Sequence, residues 1–197
     1  MNTLVLPKLG AACGAAFAVA LFASSGNSGH VNVVEIAALA LFLPFLTYLC
    51  GILREAEGPG GWLAQSAFAA GIAGIAIKIA SGVPEVALRH VESGTPLHKA
   101  LDDMATGATL FSLYPLALML AAVAAVTLRT RVLPRWLGVG AGLAAVALAV
   151  NGSIMGANGG PALVLFLLWT LAASITLFRR ADTQPTGIAQ PTPAASV

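Results

Sequence analysis

The sequence is poor in charge. Ten Lys and Arg and eight Asp and Glu make up 9% of 197 residues, where a soluble domain carries about a quarter. With 58% hydrophobic residues and a mean hydropathy of +0.87, that scarcity excludes a water-soluble fold. The formal net charge of +2 is too small to imply a nucleic-acid partner. Histidine is scarce as well: His30, His90 and His98 all fall outside the apolar runs, which argues against a haem held across a membrane. Cysteine occurs twice, as Cys13 and Cys50, each inside an apolar run, and the pair reads as small core residues rather than a disulfide. The runs also lack the two-residue alternation of barrel strands.

What remains is six apolar segments, approximately 9–23, 31–53, 62–81, 105–128, 133–150 and 161–178. Backbone polar groups must be satisfied internally in lipid, so each segment is expected to be a helix. The fold class is all-α: a polytopic membrane bundle of six transmembrane helices over residues 1–180. Residues 181–197, rich in Pro, Thr, Ala and Gln, are expected to form a disordered cytoplasmic tail. Orientation follows from the basic residues. With a cytoplasmic N-terminus, Lys8, Arg54, Arg129, Arg131, Arg135, Arg179 and Arg180 lie inside and only Lys78, Arg89 and Lys99 lie outside or near the outer surface. Both termini are then cytoplasmic and the location is the cell membrane. The first segment also fits a secretory signal, since Lys8 precedes about fifteen apolar residues and Ala23-Ser24-Ser25. Its removal would leave the other five spans oriented as before.

Short hairpin turns are expected at 24–30 and 151–160, and a cytoplasmic turn follows Arg54. The outer connection, 82–101, is longer. Pro84 suits the start of a short surface helix running to Val91, Gly94 its end, and Thr95-Pro96 an N-cap with proline at the first helical position. That surface helix is expected to lie over the outer mouth of the bundle. Gly10 and Gly14, Gly71 and Gly74, and Gly138 and Gly142 recur at intervals suited to close helix packing. Gly138-Val-Gly-Ala-Gly142 resembles a nucleotide fingerprint superficially, but it lies inside an apolar span with no strand before it. Pro44 and Pro115 should kink the second and fourth helices, and Trp62 and Trp136 read as interface anchors.

An ionisable residue within a membrane is the default functional candidate. Counting twenty residues outward at about 1.5 Å each puts Lys78 one turn below the outer surface, Glu35 close to that surface, and Asp102 and Asp103 slightly above it. No charge falls at the midplane, which argues against ion-coupled transport. The sharp expectation is an outward-facing polar pocket in which Lys78 meets Glu35 and one aspartate, with His98 and Tyr114 as further binding residues. Helix neighbours diverge by about 100°, so only one aspartate can face inward: Asp103 shares a face with Gly107 and Leu110, Asp102 with His98 and Thr106. The plainer alternative is that Lys78 snorkels while the aspartates favour the positive N-terminal end of their helix. His98 and Asp102 have the i, i+4 spacing of a metal-ligand pair, with His90 or His30 in loops, but spacing alone is weak evidence and no metal or cofactor is assigned. Asn151-Gly-Ser153 matches a glycosylation acceptor but sits too near the membrane. Tyr114 and Trp169 read first as packing residues.

The run from Leu101 to Leu143, LDDMATGATLFSLYPLALMLAAVAAVTLRTRVLPRWLGVGAGL, resembles a group of multi-pass bacterial membrane proteins of unknown function, common in actinobacteria. Its marks are an acidic helix start (Asp102 or Asp103), a mid-span Pro115, a short basic loop and a Leu-Pro-Arg-Trp-Leu-Gly motif at residues 133–138. The resemblance implies architecture and no activity. In it Pro134 starts the fifth helix, Arg135 anchors it to anionic headgroups and Trp136 sets its depth. The expected role is to bind or move a small amphipathic molecule or membrane lipid. The alternatives are an intramembrane enzyme in which Glu35 and Asp103 do acid/base work while Lys78 tunes them, and a structural subunit of a membrane complex. A homo-oligomer or a partner membrane protein is compatible with all three.

Overall fold

A computed structural model describes residues 5–24, 33–153 and 160–183. His30, nearly all of the turn at 24–30, most of the turn at 151–160 and the tail from 184 onward lie outside them. The described residues contain no strand and form six helices: α1 (Val5–Ser24), α2 (Val33–Glu57), α3 (Leu63–Leu88), α4 (Pro96–Thr130), α5 (Arg135–Ser153) and α6 (Gly160–Thr183). Helices α2 to α6 are long and apolar enough to cross a bilayer, and α1 is a shorter apolar helix. The chain is thus an all-α bundle, and its five long apolar helices support a multi-pass membrane protein.

Local chemistry sets the helix ends. At α4, Thr95 is extended (φ −75°, ψ 153°) and its Oγ1 accepts the His98 N–H at 3.2 Å, with Pro96 in the first turn. This satisfies one of the donors a helix start leaves unpaired. The other end of α4 closes at Arg131, whose φ of 55° is left-handed and whose N–H donates to the Thr127 carbonyl at 2.9 Å. At the α2–α3 turn, Gly58 and Gly60 take positive φ values of 80° and 88°. The turn brings the Glu57 carboxylate to the start of α3, where it accepts N–H groups from Leu63 (3.1 Å) and Ala64 (2.9 Å). A carboxylate there answers both the unpaired donors and the positive helix end.

The outer connection differs from expectation. The separate helix expected from Pro84 to Val91 is the end of α3, which runs unbroken through Pro84 to Leu88 and leaves only residues 89–95 as a turn. Proline removes one helical hydrogen bond, yet α3, which packs more extensively on α4 than on any other helix, continues past it. The 35 residues of α4 measure about 52 Å against a hydrocarbon core of about 30 Å. Helix α4 is therefore about 20 Å longer than the core is thick. Helices α2 and α4 likewise continue through Pro44 and Pro115.

Each helix packs on the next in chain order, α6 closes back on α1, and α2 meets α4 across the ring. Phe17, Phe42, Phe45 and Phe166 join α1, α2 and α6, with Phe17 and Phe42 centroids 4.7 Å apart. Leu46, Leu49 and Leu53 of α2 share the core with Met119, Leu120 and Val123 of α4. Glycine permits the closest approaches. A Cβ on Gly14 would lie 2.3 Å from Ser174 Oγ and 2.4 Å from the Phe45 ring, and one on Gly71 would lie 2.6 Å from Leu46. Gly74 and Gly138 are similarly tight, whereas Gly142 keeps ordinary spacing, 3.9 Å from Ala124. Both cysteines are free. Trp169 is buried and donates its indole N–H to the Leu137 carbonyl at 3.0 Å, tying α6 to α5, while Trp62 and Trp136 are exposed.

Candidate functional site

The layer of charges expected beneath the outer surface comes together in part. Lys78 Nζ of α3 lies 3.1 Å from Glu35 Oε1 of α2, both side chains being 26% exposed. The same ammonium donates to Thr109 Oγ1 of α4 at 3.4 Å, Thr109 donates to Ser81 Oγ at 3.3 Å, and Ser81 donates to the Lys78 carbonyl at 2.7 Å. Ser112 adds a donation to the Thr109 carbonyl at 2.6 Å. These groups answer one another, and their charges cancel. The arrangement ties three helices together.

Asp102 and Asp103 stand apart from this cluster. Both are exposed, because the inward face of α4 at this level is built from Ala105, Thr109 and Ser112, and the two aspartates flank it. Glu35 is held by Lys78 and Asp103 faces solvent, so the carboxylate pair that acid/base chemistry would need is not assembled. His98 is half-buried, its backbone N–H given to Thr95, and among the described residues no three of His, Cys, Asp and Glu gather as a metal site would require. Tyr114 belongs to the contact with α5: its hydroxyl lies 3.3 Å from Ser153 Oγ, and its ring is 3.2 Å from where a Cβ on Gly152 would sit.

A cavity lies at the opposite end. A cleft of about 540 Å³ is lined by Thr47, Tyr48, Gly51, Ile52, Glu55 and Ala56 of α2, by Val132 between α4 and α5, and by Arg180 near the end of α6. That volume falls in the range of small-molecule sites. The α2 residues repeat at the four-residue spacing of one helix face, and from Thr47 to Glu55 they descend about 12 Å along the axis. Glu55 is exposed near the C-terminal end of that face. The Arg180 guanidinium donates to the Val132 carbonyl, which fixes its charge against the cleft wall. Tyr48 can lie close against α1 because Gly10 has no side chain; a Cβ there would fall 2.7 Å from that of Tyr48. Ile52, Ala56 and Val132 give the walls their apolar part.

Gly51 is the informative residue. Glycine inside a helix costs about 1 kcal/mol relative to alanine, which close packing accounts for at Gly14, Gly71 and Gly74. At Gly51, as at Gly107 of α4, a Cβ would meet nothing within 4 Å, and Gly51 lines the cleft. None of these lining residues stood out by charge depth, which singles out groups within lipid and passes over those at its border. The signal that could have found them is a mid-helix glycine outside any small-residue pair.

No family model, curated protein or solved structure matches the chain.

Proposed function

We propose that this integral membrane protein binds a small amphipathic molecule or lipid, with the polar end in the cleft walled by α2, α6 and the α4–α5 turn. The observation that carries the reading is the cleft itself. It holds a carboxylate, a guanidinium and two hydroxyls beside apolar walls, over a glycine that no helix contact requires. Lys8, Arg54, Arg129, Arg131, Arg135, Arg179 and Arg180 gather at this end, which supports reading it as the cytoplasmic side of a cell membrane by the positive-inside rule. The outward pocket expected from the sequence gives way to the helix tie around Lys78. The likeness of residues 133–138 to multi-pass proteins enters only as support for the architecture.

The test compares wild type with Gly51→Leu, both purified in mild detergent, with retained amphiphiles quantified by mass spectrometry. A leucine there has open space to occupy, so melting temperature should hold while retention falls about tenfold or more. Equal retention in the two proteins would remove the cleft as the site.

One observation favours a structural-subunit reading beside this one. Around the α3–α4 turn Val83, Leu97 and Met104 are 71%, 59% and 63% exposed, where α4 outruns the thickness of the hydrocarbon core. A cluster of exposed apolar residues there suits a partner contact. Replacing Leu97 and Met104 by aspartate should then release a partner membrane protein while cleft occupancy stays unchanged; a complex indifferent to both changes ends that reading.

A further inference from the structure

The cleft carries one charge of each sign on the same cavity, and that pairing points to a class of headgroup. Resting on the reading of the cleft as an amphiphile site, we propose that it takes a zwitterionic phospholipid whose headgroup ends in a primary ammonium, the phosphate against Arg180 and the ammonium against Glu55.

The chemistry of the two residues argues for this order. A guanidinium keeps its charge at any physiological pH, and its planar fork matches the oxygens of a phosphate. Arg180 is held on the wall by the Val132 carbonyl, which reduces the freedom it would lose on binding. Glu55, exposed on the same helix face, has as a carboxylate only acceptor oxygens and a negative charge, so it asks for a cation with N–H groups. A primary ammonium supplies three. A choline headgroup supplies none, and a glycerol headgroup brings a phosphate with no cation for Glu55. The lining contributes one charge of each sign, which a zwitterionic ligand matches in kind as water is displaced. Deeper in the cleft, the Tyr48 hydroxyl and the open floor at Gly51 lie where the ester linkages and first methylenes would follow. Ile52 and Val132 offer the matching apolar surface.

A lipid and a free phosphoethanolamine-like metabolite share this recognition chemistry, and the experiment separates them. Purified protein in detergent is titrated with ethanolamine, choline and glycerol phospholipids of identical acyl chains, then with soluble phosphoethanolamine, for wild type, Glu55→Gln and Gly51→Leu. The ethanolamine lipid should bind about tenfold more tightly than the choline lipid, the factor one charge-assisted hydrogen bond supplies. Glu55→Gln, at an exposed position, should fold normally and bring that ratio near one. Tightest binding of the glycerol lipid, or a ratio that Glu55→Gln leaves intact, overturns the headgroup assignment while leaving an amphiphile site. Binding of every lipid equally by wild type and Gly51→Leu overturns the amphiphile reading itself. Soluble phosphoethanolamine binding as tightly as its lipid overturns the membrane source.

Discussion

Lys78 shows what a single charge near a bilayer surface can be asked to do. Its ion pair with Glu35 at 3.1 Å is neither solvated enough to be worthless nor buried enough to be ruinous. Replacing it by methionine should cost about 1–3 kcal/mol, between the values for exposed and buried pairs. Adding Glu35→Gln should recover part of that loss, and a double-mutant cycle on thermal unfolding in detergent measures it; additive losses would mean the two side chains do not interact. The contrast between glycines is sharper. Gly14→Ala should lose about 1–3 kcal/mol by overpacking, since its Cβ would collide with Phe45 and Ser174. Gly51→Ala should be neutral or stabilising by up to about 1 kcal/mol. Depth counting from the sequence was enough to pair Lys78 with Glu35. It did not reveal Thr109 or the outward turn of the aspartates, because those depend on the rotational phase of α4. That phase is set by Gly74 admitting Leu116 and Ser112 from the facing helix, a three-dimensional fact.

At the scale of helices, apolar length announced all six, and Thr95-Pro96 announced where α4 begins. Where α3 ends was hidden. Hydrocarbon thickness limits how much of a helix must be apolar, not how far the helix continues into water, and Pro84 looked like a beginning when it is an interior residue. Pro84→Ala supplies the missing N–H and should raise stability by about 1 kcal/mol or more; a fall would mean that two helices meet there. Thr95→Ala should cost about 1 kcal/mol and speed hydrogen exchange at the amides of His98 and Lys99, where the first turn of α4 would fray. Unchanged exchange would show that Pro96 alone holds the start.

For the whole molecule, the alternation of up and down helices puts the turn at Gly58–Gly61 and the turn at 89–95 on opposite sides. Applied to intact cells, a membrane-impermeant maleimide should label Ser93→Cys and spare Pro59→Cys; the reverse pattern would turn the protein over and move the cleft to the outer leaflet. This expected sidedness rests on lysine and arginine placement alone. The cleft was not readable in the sequence, because its lining comes from α2, from a turn and from the far end of α6, residues as far apart as Thr47 and Arg180 that only the closed ring brings together.

That closure also sets an order of events in biosynthesis. The sixth helix leaves the ribosome after the other five, yet Phe166 packs on Phe17 and Phe42, and Ser174 fills the notch at Gly14. Until it arrives, α1 has a seam open to the bilayer, and the cleft lacks its arginine. A nascent chain therefore has no complete cleft, and one cut short before Gly160 would present the membrane's proteases with an unfinished wall.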